Sequence, residues 1–377
     1  MSNIFNFCDD LGPEKIIHVY EPSVGLKAIL VIDNVAKGPA IGGMRIAEDV
    51  SVEECFRLAR AMTYKNAAAG LPHGGGKIVI FGDPKMPKER KSLLLRALAN
   101  NLRNVEDYIF APDMGTNEEC MAWIRDEVAR VVALPREIGG IPLDEIGATG
   151  FGLSHAVDVA LEYAGLDIKG AKFVIQGFGA VGKHAARFLV KNGATLVAVA
   201  DSQGAIENQD GLDLNALLDL KQRNKSVSEY TEGKSIGRDE VLGVDCDIWI
   251  PAARPDVIHE DNVHQLKAKI VVEGANIPAT HTAEKMLYEK GVIVVPDFIA
   301  NAGGVICAAM EYHGSSEAAA LQTIAEKVRR NTEQVLETSK REKVLPREAA
   351  MEVAHQRVKK AMSYRRFSLF STAPGFV

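Results

Sequence analysis

Apolar and polar positions along this chain fall into two textures. The first third mixes strand-like and helix-like periods. Residues 26–33, LKAILVID, form an apolar run of strand length. Residues 52–64 place Val52, Cys55, Leu58, Ala59 and Met62 at three- and four-residue spacing, which predicts a helix with one buried face. Gly70 and the run Gly74–Gly76 then break the pattern before an apolar strand, Ile78–Phe81. A further helix fits 87–103, and a short strand ends at Ala111-Pro112-Asp113. Thr116, with Glu119 three residues on, predicts a capping box at the next helix.

From about residue 149 the texture becomes a strict alternation of strand and helix. Apolar strands are expected at 172–176, 195–200, 246–250, 268–272 and 292–295, the pattern of a parallel, doubly wound sheet. Residues 317–366 read as helix rich in both charge signs, and 133–148, with Pro135, Gly139, Gly140, Pro142 and Gly147, reads as a hinge. The expected fold is therefore α/β with two domains and a cleft between them, since 377 residues exceed one ordinary core. Residues 1–140, joined by C-terminal helices at about 340–377, make an N-terminal α/β domain; residues 141–339 make the doubly wound one.

Composition narrows the function classes. Apolar residues at 47% and charged residues at 25% are ordinary for a soluble protein, and a net charge of −6 provides no general attraction to nucleic acid or anionic membrane. Five widely spaced cysteines without a CxxC pair fit reduced, buried thiols, and the nine histidines show no metal-ligand spacing, so no metal is expected. Met1–Asp10 lacks the basic and apolar regions of a signal peptide, which points to a cytoplasmic protein. The basic cluster Arg357, Lys359, Lys360, Arg365 and Arg366 lacks interleaved aromatics and reads as a solvated helix face or subunit contact.

The strand 172–176 runs into Gly177-Phe178-Gly179-Ala180-Val181-Gly182, with a helix expected at 183–192. In that context GxGxxG has a mechanism. The first glycine permits the turn, the second admits a pyrophosphate to the backbone, the third allows close helix–strand packing, and the helix N-terminus faces the phosphates. Asp201 ends the next strand, 19 residues after Gly182, where a carboxylate binds ribose hydroxyls and disfavours a 2′-phosphate. A Rossmann domain binding NAD is expected, although Ser202 and Gln203 are compatible with a phosphate.

The first domain carries Lys65 after a helical stretch, Lys77 after a glycine run and Asp113 at a strand end. Singly these read as a solvated helix residue, a strand-edge charge and a turn residue. Beside a dinucleotide domain they read together as a catalytic cluster. The segments Gly38-Pro39-Ala40-Ile41-Gly42-Gly43, Leu71-Pro72-His73-Gly74-Gly75-Gly76-Lys77, Ala111–Thr116, Gly274-Ala275-Asn276 and Asn301-Ala302-Gly303-Gly304-Val305 follow in an order that resembles the glutamate/leucine/phenylalanine/valine dehydrogenase superfamily over essentially the whole chain. The resemblance implies reversible oxidative deamination of an amino acid through an imine to a 2-oxo acid, ammonium and NADH. It implies that Lys65 binds the substrate α-carboxylate, that Lys77 handles protons for the attacking water, and that Asp113 exchanges protons with the amino group. It further implies that Gly42 and Gly43 line the substrate site, that Thr149, Ala252, Ala253, Asn276 and Asn301 hold the cofactor, with Asn276 also touching substrate, and that the enzyme is a homo-oligomer.

The same resemblance bears on the side chain accepted. Glutamate-specific members carry a lysine at Ile41, a serine at Ala308 and commonly a glutamine at Met62. With Ile41, Val305 and Ala308 lining the pocket, a substrate carboxylate would be buried unpaired at a cost of several kcal/mol. An apolar amino acid, of the leucine, valine or isoleucine type or phenylalanine, is therefore expected, in the manner of the leucine/phenylalanine branch. A glutamate enzyme with an atypical pocket is the main rival, because the GxGxxG segment, Asp201-Ser202 and residues 274–278 resemble glutamate members. A non-catalytic NAD-binding sensor is a remote one. His73, before the glycine run, reads as a surface or packing residue, with a contribution to substrate preference conceivable.

Overall fold

Period-two alternation in the first third builds a sheet buried on both faces. The computed structural model describes residues 4–365. Strands β1 (Lys15–Glu21), β2 (Leu26–Asn34), β3 (Ala40–Ala47), β4 (Gly74–Phe81) and β5 (Tyr108–Pro112) stand in the order β1-β2-β4-β3-β5. β3 runs parallel to β4 and β5, while β2 is antiparallel to β1 and β4. Ile29, Val31 and Val79 pack with Cys55 and Ala59 of helix α1 (Val52–Ala68). Their neighbours Leu30, Ile32, Ile78 and Ile80 point the other way, into a core with Leu95 of α2 (Lys88–Asn101) and Ile124 of α3 (Glu118–Arg125).

Three local expectations need correction. Gly74–Gly76 does not interrupt the sheet; it forms the first half of β4. A Cβ on Gly75 would lie 2.0 Å from the Thr63 amide nitrogen, so the missing side chains let α1 settle directly on the strand. β3 escaped notice because its two glycines hide the alternation of Ile41, Gly43 and Arg45 on one face with Gly42, Met44 and Ile46 on the other. The cap of α3 is Asn117, which accepts from the Cys120 amide, while Thr116 instead donates to the Met44 carbonyl and accepts from the Asp113 amide.

The second part of the chain opens with α4 (Ala148–Ala164) and a seven-stranded sheet. Its strands are β6 (Lys172–Gln176), β7 (Thr195–Ala200), β8 (Ala205–Glu207), β9 (Lys234–Ile236), β10 (Ile248–Pro251), β11 (Ile270–Val272) and β12 (Ile293–Val295), in the order β12-β11-β10-β6-β7-β8-β9. The five from β12 to β7 are parallel; β8 and β9 form an antiparallel edge outside the expected alternation. Strand order reverses at β6, so a ligand crevice belongs at the carboxyl end of β6. Helices α5 (Ala180–Lys191), α6 (Leu214–Gln222) and α7 (His281–Glu289) connect these strands, and α8 (Asp297–Ala300), α9 (Gly303–Tyr312), α10 (Glu317–Glu342) and α11 (Pro346–Met362) finish the described chain.

By its contacts the chain divides into two compact units. One takes the chain up to Pro142, Val305–Ala320 and the chain from Met351 on; the other takes Leu143–Gly304 and Leu321–Ala350. In the first, Arg357 on α11 donates to the carbonyls of Ala67 and Ala68, satisfying the C-terminal end of α1, and Lys359 pairs with Asp10. The basic run thus acts within the unit, and Arg366 lies outside the described residues. Among the described residues no helix is long and apolar enough to cross a membrane.

A buried ion pair fixes α1 on β2. Asp33 is 0% exposed and accepts from Arg60 Nε at 2.8 Å and from Thr63 Oγ1 at 2.6 Å. Arg60→Met is expected to leave that carboxylate buried with a partner missing and to cost about 3–5 kcal/mol. Arg96→Met, removing the exposed pairs with Asp126 and Glu127, is expected to cost under about 1 kcal/mol. Chemical denaturation of the two variants measures the contrast; equal losses would refute it.

Candidate active site

Alternation on three strands delivers a charged cluster of the first unit to one face. Ile41, Gly43 and Arg45 of β3, Gly75 and Lys77 of β4, and Asp113 just after β5 all stand on the side covered by α1, with Ile41 paired to Gly75 and Gly43 to Ala111. Lys77 Nζ lies 2.9 Å from Asp113 Oδ2. Gly43 lies against both: a Cβ there would come within 2.8 Å of Asp113 Cβ and 3.3 Å of Lys77 Nζ. Gly42 is equally constrained, since its Cβ would meet the Gly76 carbonyl oxygen at 1.8 Å.

Met62 and Lys65 lie three residues apart on the last turns of α1, both half-buried. That end of the helix is secured from two sides. Thr63 bonds Asp33, and Asn66 donates to the Gly74 carbonyl at 2.7 Å. Val305 and Ala308 are likewise three residues apart on α9, with Ala308 buried. His73 is no surface residue: it is 1% exposed, and burial pushes its pKa down to about 4.

Sequence reasoning missed Arg45. Its Nε donates to Asp113 Oδ2 at 2.9 Å and its Nη1 to Glu54 Oε1 at 2.7 Å. Two cations therefore converge on one oxygen of Asp113. Burial works to raise the pKa of this carboxyl, but the charges and hydrogen bonds of Lys77 and Arg45 outweigh it, and the net shift is downward. The signal for Arg45 was its two-residue spacing from Gly43, visible only once 40–47 is read as a strand.

In the other unit, a glycine turn stands at the carboxyl end of β6. Gly177 has φ +104°, and a Cβ on it would press on Ala252 and Ala253 at 2.7–2.8 Å. Gly182 packs α5 onto the turn, its Cβ position only 2.1 Å from the Gly177 carbonyl oxygen. Gly179, by contrast, faces open space, and α5 begins there without a side-chain cap or an acidic residue in its first turn. An uncapped helix N-terminus open to solvent fits a pyrophosphate, so these residues suit a dinucleotide. Phe178 is buried and its amide donates to the Ala200 carbonyl, so it holds the turn. Thr149, Ala180 and Val181 line a small depression beside α5, with His184 as a further member that the sequence did not single out.

Asp201 stands at the end of β7 as expected, but its carboxylate is already occupied. Oδ1 accepts from the Gln203 amide and Ser226 Oγ, and Oδ2 accepts from Lys221 Nζ at 2.8 Å and the Val227 amide at 3.0 Å. Burial tends to raise its pKa, yet these donors prevail and lower it to about 2. Four bonds fill the acceptor capacity of a carboxylate, so a ribose diol would have to compete for it. Across the sheet, Asn301 Nδ2 donates to Asn276 Oδ1 at 3.0 Å, and Asn301 Oδ1 is buried without a hydrogen-bond partner. The loop carrying Asn276 is held from below: the Ile277 amide donates to Asp297, which Arg347 grips together with Glu273 and Glu284.

Comparisons with known proteins agree with this arrangement. Residues 139–366 match the family described as glutamate/leucine/phenylalanine/valine dehydrogenase, and residues 13–130 match its dimerisation domain. A glutamate dehydrogenase of Aeropyrum pernix is 38% identical over 355 residues, 88% of this chain and 85% of that protein. An NADP-specific glutamate dehydrogenase of Saccharolobus shibatae is 39% identical over 293 residues, 74% of this chain and 69% of that protein. The structure of an L-tryptophan dehydrogenase from Nostoc punctiforme superposes with a TM-score of 0.74 at 25% identity, covering 94% of this chain and 98% of its own.

Arg45→Met tests the electrostatics. With one of its two cations gone, the Asp113 carboxyl is expected to titrate at higher pH, and the acidic limb of the activity profile to move up with it. A limb that stays in place would remove Arg45 from the site.

Proposed function

Since the chain belongs to the glutamate/leucine/phenylalanine/valine dehydrogenase family, whose members use a nicotinamide cofactor, we propose that it catalyses the reversible NAD-dependent oxidative deamination of an apolar L-amino acid. The observation that carries the substrate class is the pair Ile41 and Ala308, 2% and 5% exposed, at positions where glutamate-specific members resemble each other in carrying lysine and serine. A γ-carboxylate brought against two buried apolar groups would lose its hydration without gaining a partner, at a cost of several kcal/mol. A leucine-like side chain would instead gain from the apolar surface it covers.

In this reading Lys65 holds the α-carboxylate as a point charge; of the two glycines expected there, Gly43 packs against Lys77 and Asp113, while Gly42 turns to the opposite face of β3. A nicotinamide held beside Thr149 and Asn276 would supply the acceptor for the hydride leaving the α-carbon. Asp113 takes a proton from the substrate ammonium, and Lys77, paired to it at 2.9 Å, orients the water that converts the imine to the 2-oxo acid. Asn276 and Thr149 orient the cofactor, and the match to a dimerisation domain favours a homo-oligomer. One observation favours the second reading, a glutamate enzyme with an unusual pocket: both relatives named above act as glutamate dehydrogenases.

The deciding experiment is 2-oxo acid formation from leucine, valine, isoleucine, phenylalanine, tryptophan and glutamate, repeated with Ile41→Lys/Ala308→Ser. The wild type is expected to prefer an apolar member. The double variant should lose about tenfold or more in kcat/KM on it and gain activity on glutamate. Preference of the wild type for glutamate would overturn the apolar reading.

Cofactor choice is the second test. Asp201 disfavours a 2′-phosphate, but the Lys221 ammonium at 2.8 Å offsets its charge, so discrimination against NADP should be modest. Lys221→Ala is expected to raise the NAD-over-NADP preference about three- to fivefold, as suits a partly exposed pair. An unchanged ratio would show that Asp201 does not govern this choice.

A further inference from the structure

Two histidines left out of the chemistry above meet in the unit that carries Lys77. His73 Nδ1 lies 3.1 Å from the Pro39 carbonyl oxygen, and its Nε2 lies 3.1 Å from Nε2 of His313. A carbonyl only accepts, so Nδ1 of His73 carries the hydrogen and Nε2 is the lone-pair nitrogen. His313 must then donate from its own Nε2. Tyr312 closes the cluster edge-on to both rings, with centroids 5.9 and 5.6 Å away.

What the pair joins gives it a role. His73 leads directly into β4, where Gly75 pairs with Ile41, and Pro39 leads into β3 two residues before Ile41. The two lead-ins have no slack: a Cβ on Gly38 would sit 2.0 Å from the Pro72 carbonyl oxygen. His313 follows α9, its amide bonded to the Ala309 carbonyl, five residues beyond Ala308. The end of α9 is also anchored by the Glu311 carboxylate, which accepts from the amides of Leu134 and Ile141 at 3.0 Å.

We infer that His73 and His313 are positioning residues for the substrate side-chain pocket, their imidazole–imidazole bond tying the segment that leads into Ile41 to the helix that carries Ala308. The inference rests on the reading of Ile41 and Ala308 as pocket walls. It makes this histidine pair a determinant of side-chain selectivity that touches no reacting atom.

A double-mutant cycle with His73→Phe, His313→Ala and the two combined tests it, run on the amino acid the wild type prefers. Each single variant should raise KM about three- to tenfold, the range for one lost hydrogen bond of ordinary net strength, with kcat and the KM for NAD within about twofold. The combined variant should be no worse than the singles. The order of preference among leucine, isoleucine and phenylalanine should change. His313→Gln, which keeps an N–H donor at similar reach, should restore KM to within about twofold of wild type. Additive losses, an equal fall in kcat for every amino acid, or a His313→Gln variant as impaired as His313→Ala would reduce the pair to packing and overturn the inference. Preference of the wild type for glutamate would overturn the apolar reading by itself, because the cycle is then read with glutamate.

Discussion

The close approach of α1 to the glycine half of β4 is the constraint on which the rest of the first unit depends. At Gly74, Gly75 and Gly42 an added Cβ would come within 2.0 Å of backbone atoms of Asn34, Thr63 and Gly76. No side chain fits there, and relaxation by a few tenths of an ångström would not make room. The helix therefore rests on bare backbone, held by Asn66 to Gly74 and by Thr63 and Arg60 to Asp33. Because it sits so low, its last turns place Thr63 against Gly75 and Asn66 within reach of the Gly74 carbonyl. Glycine here costs conformational entropy that a β-branched residue would not, which is acceptable only because the packing requires it.

Charge is handled by local compensation around both Asp113 and Asp201. Lys77 and Arg45 share Asp113, with Glu54 balancing the arginine, so the cluster has two cations and two anions. Asp201 is matched by Lys221 and three neutral donors. In each case the carboxylate is kept ionised by preorganised donors, and its reach toward a ligand is limited by them. That explains how a buried acid stays charged, and it weakens any argument that treats Asp201 as a bare negative charge guarding the adenosine ribose.

Relatives and pocket chemistry pull in different directions on the substrate. Overall identity to glutamate dehydrogenases reflects the whole chain, most of which builds sheets, turns and the dinucleotide crevice shared by the family. Side-chain selectivity depends on a few pocket positions, and in the proposed reading two of them are the buried apolar residues Ile41 and Ala308. Selectivity is a difference of a few kcal/mol set locally, so those positions weigh more than the average over 355 residues.

Strong periodic segments were legible without the fold: α1, β2, β5, β6 and β7 lie where apolar spacing predicts them, and Gly177–Gly182 announces its turn because each glycine has a backbone task. Lys65, Lys77 and Asp113 could be named from their motifs. The meeting of Lys77 with Asp113 was another matter, since it depends on β3 lying between β4 and β5 in parallel register, and β3 has too many glycines to show its period. Arg45, whose partners Glu54 and Asp113 are 9 and 68 residues away, and Lys221, 20 residues from Asp201, belong to the same class. So does the His73–His313 bond, spanning 240 residues. Sequence by itself determined which residue types and backbone freedoms were present, because those act over a few neighbours. Only tertiary structure decided which distant charges and rings meet, because hydrogen bonds and ion pairs act over about 3 Å and only strand register and the packing of helices on strands bring such groups that close.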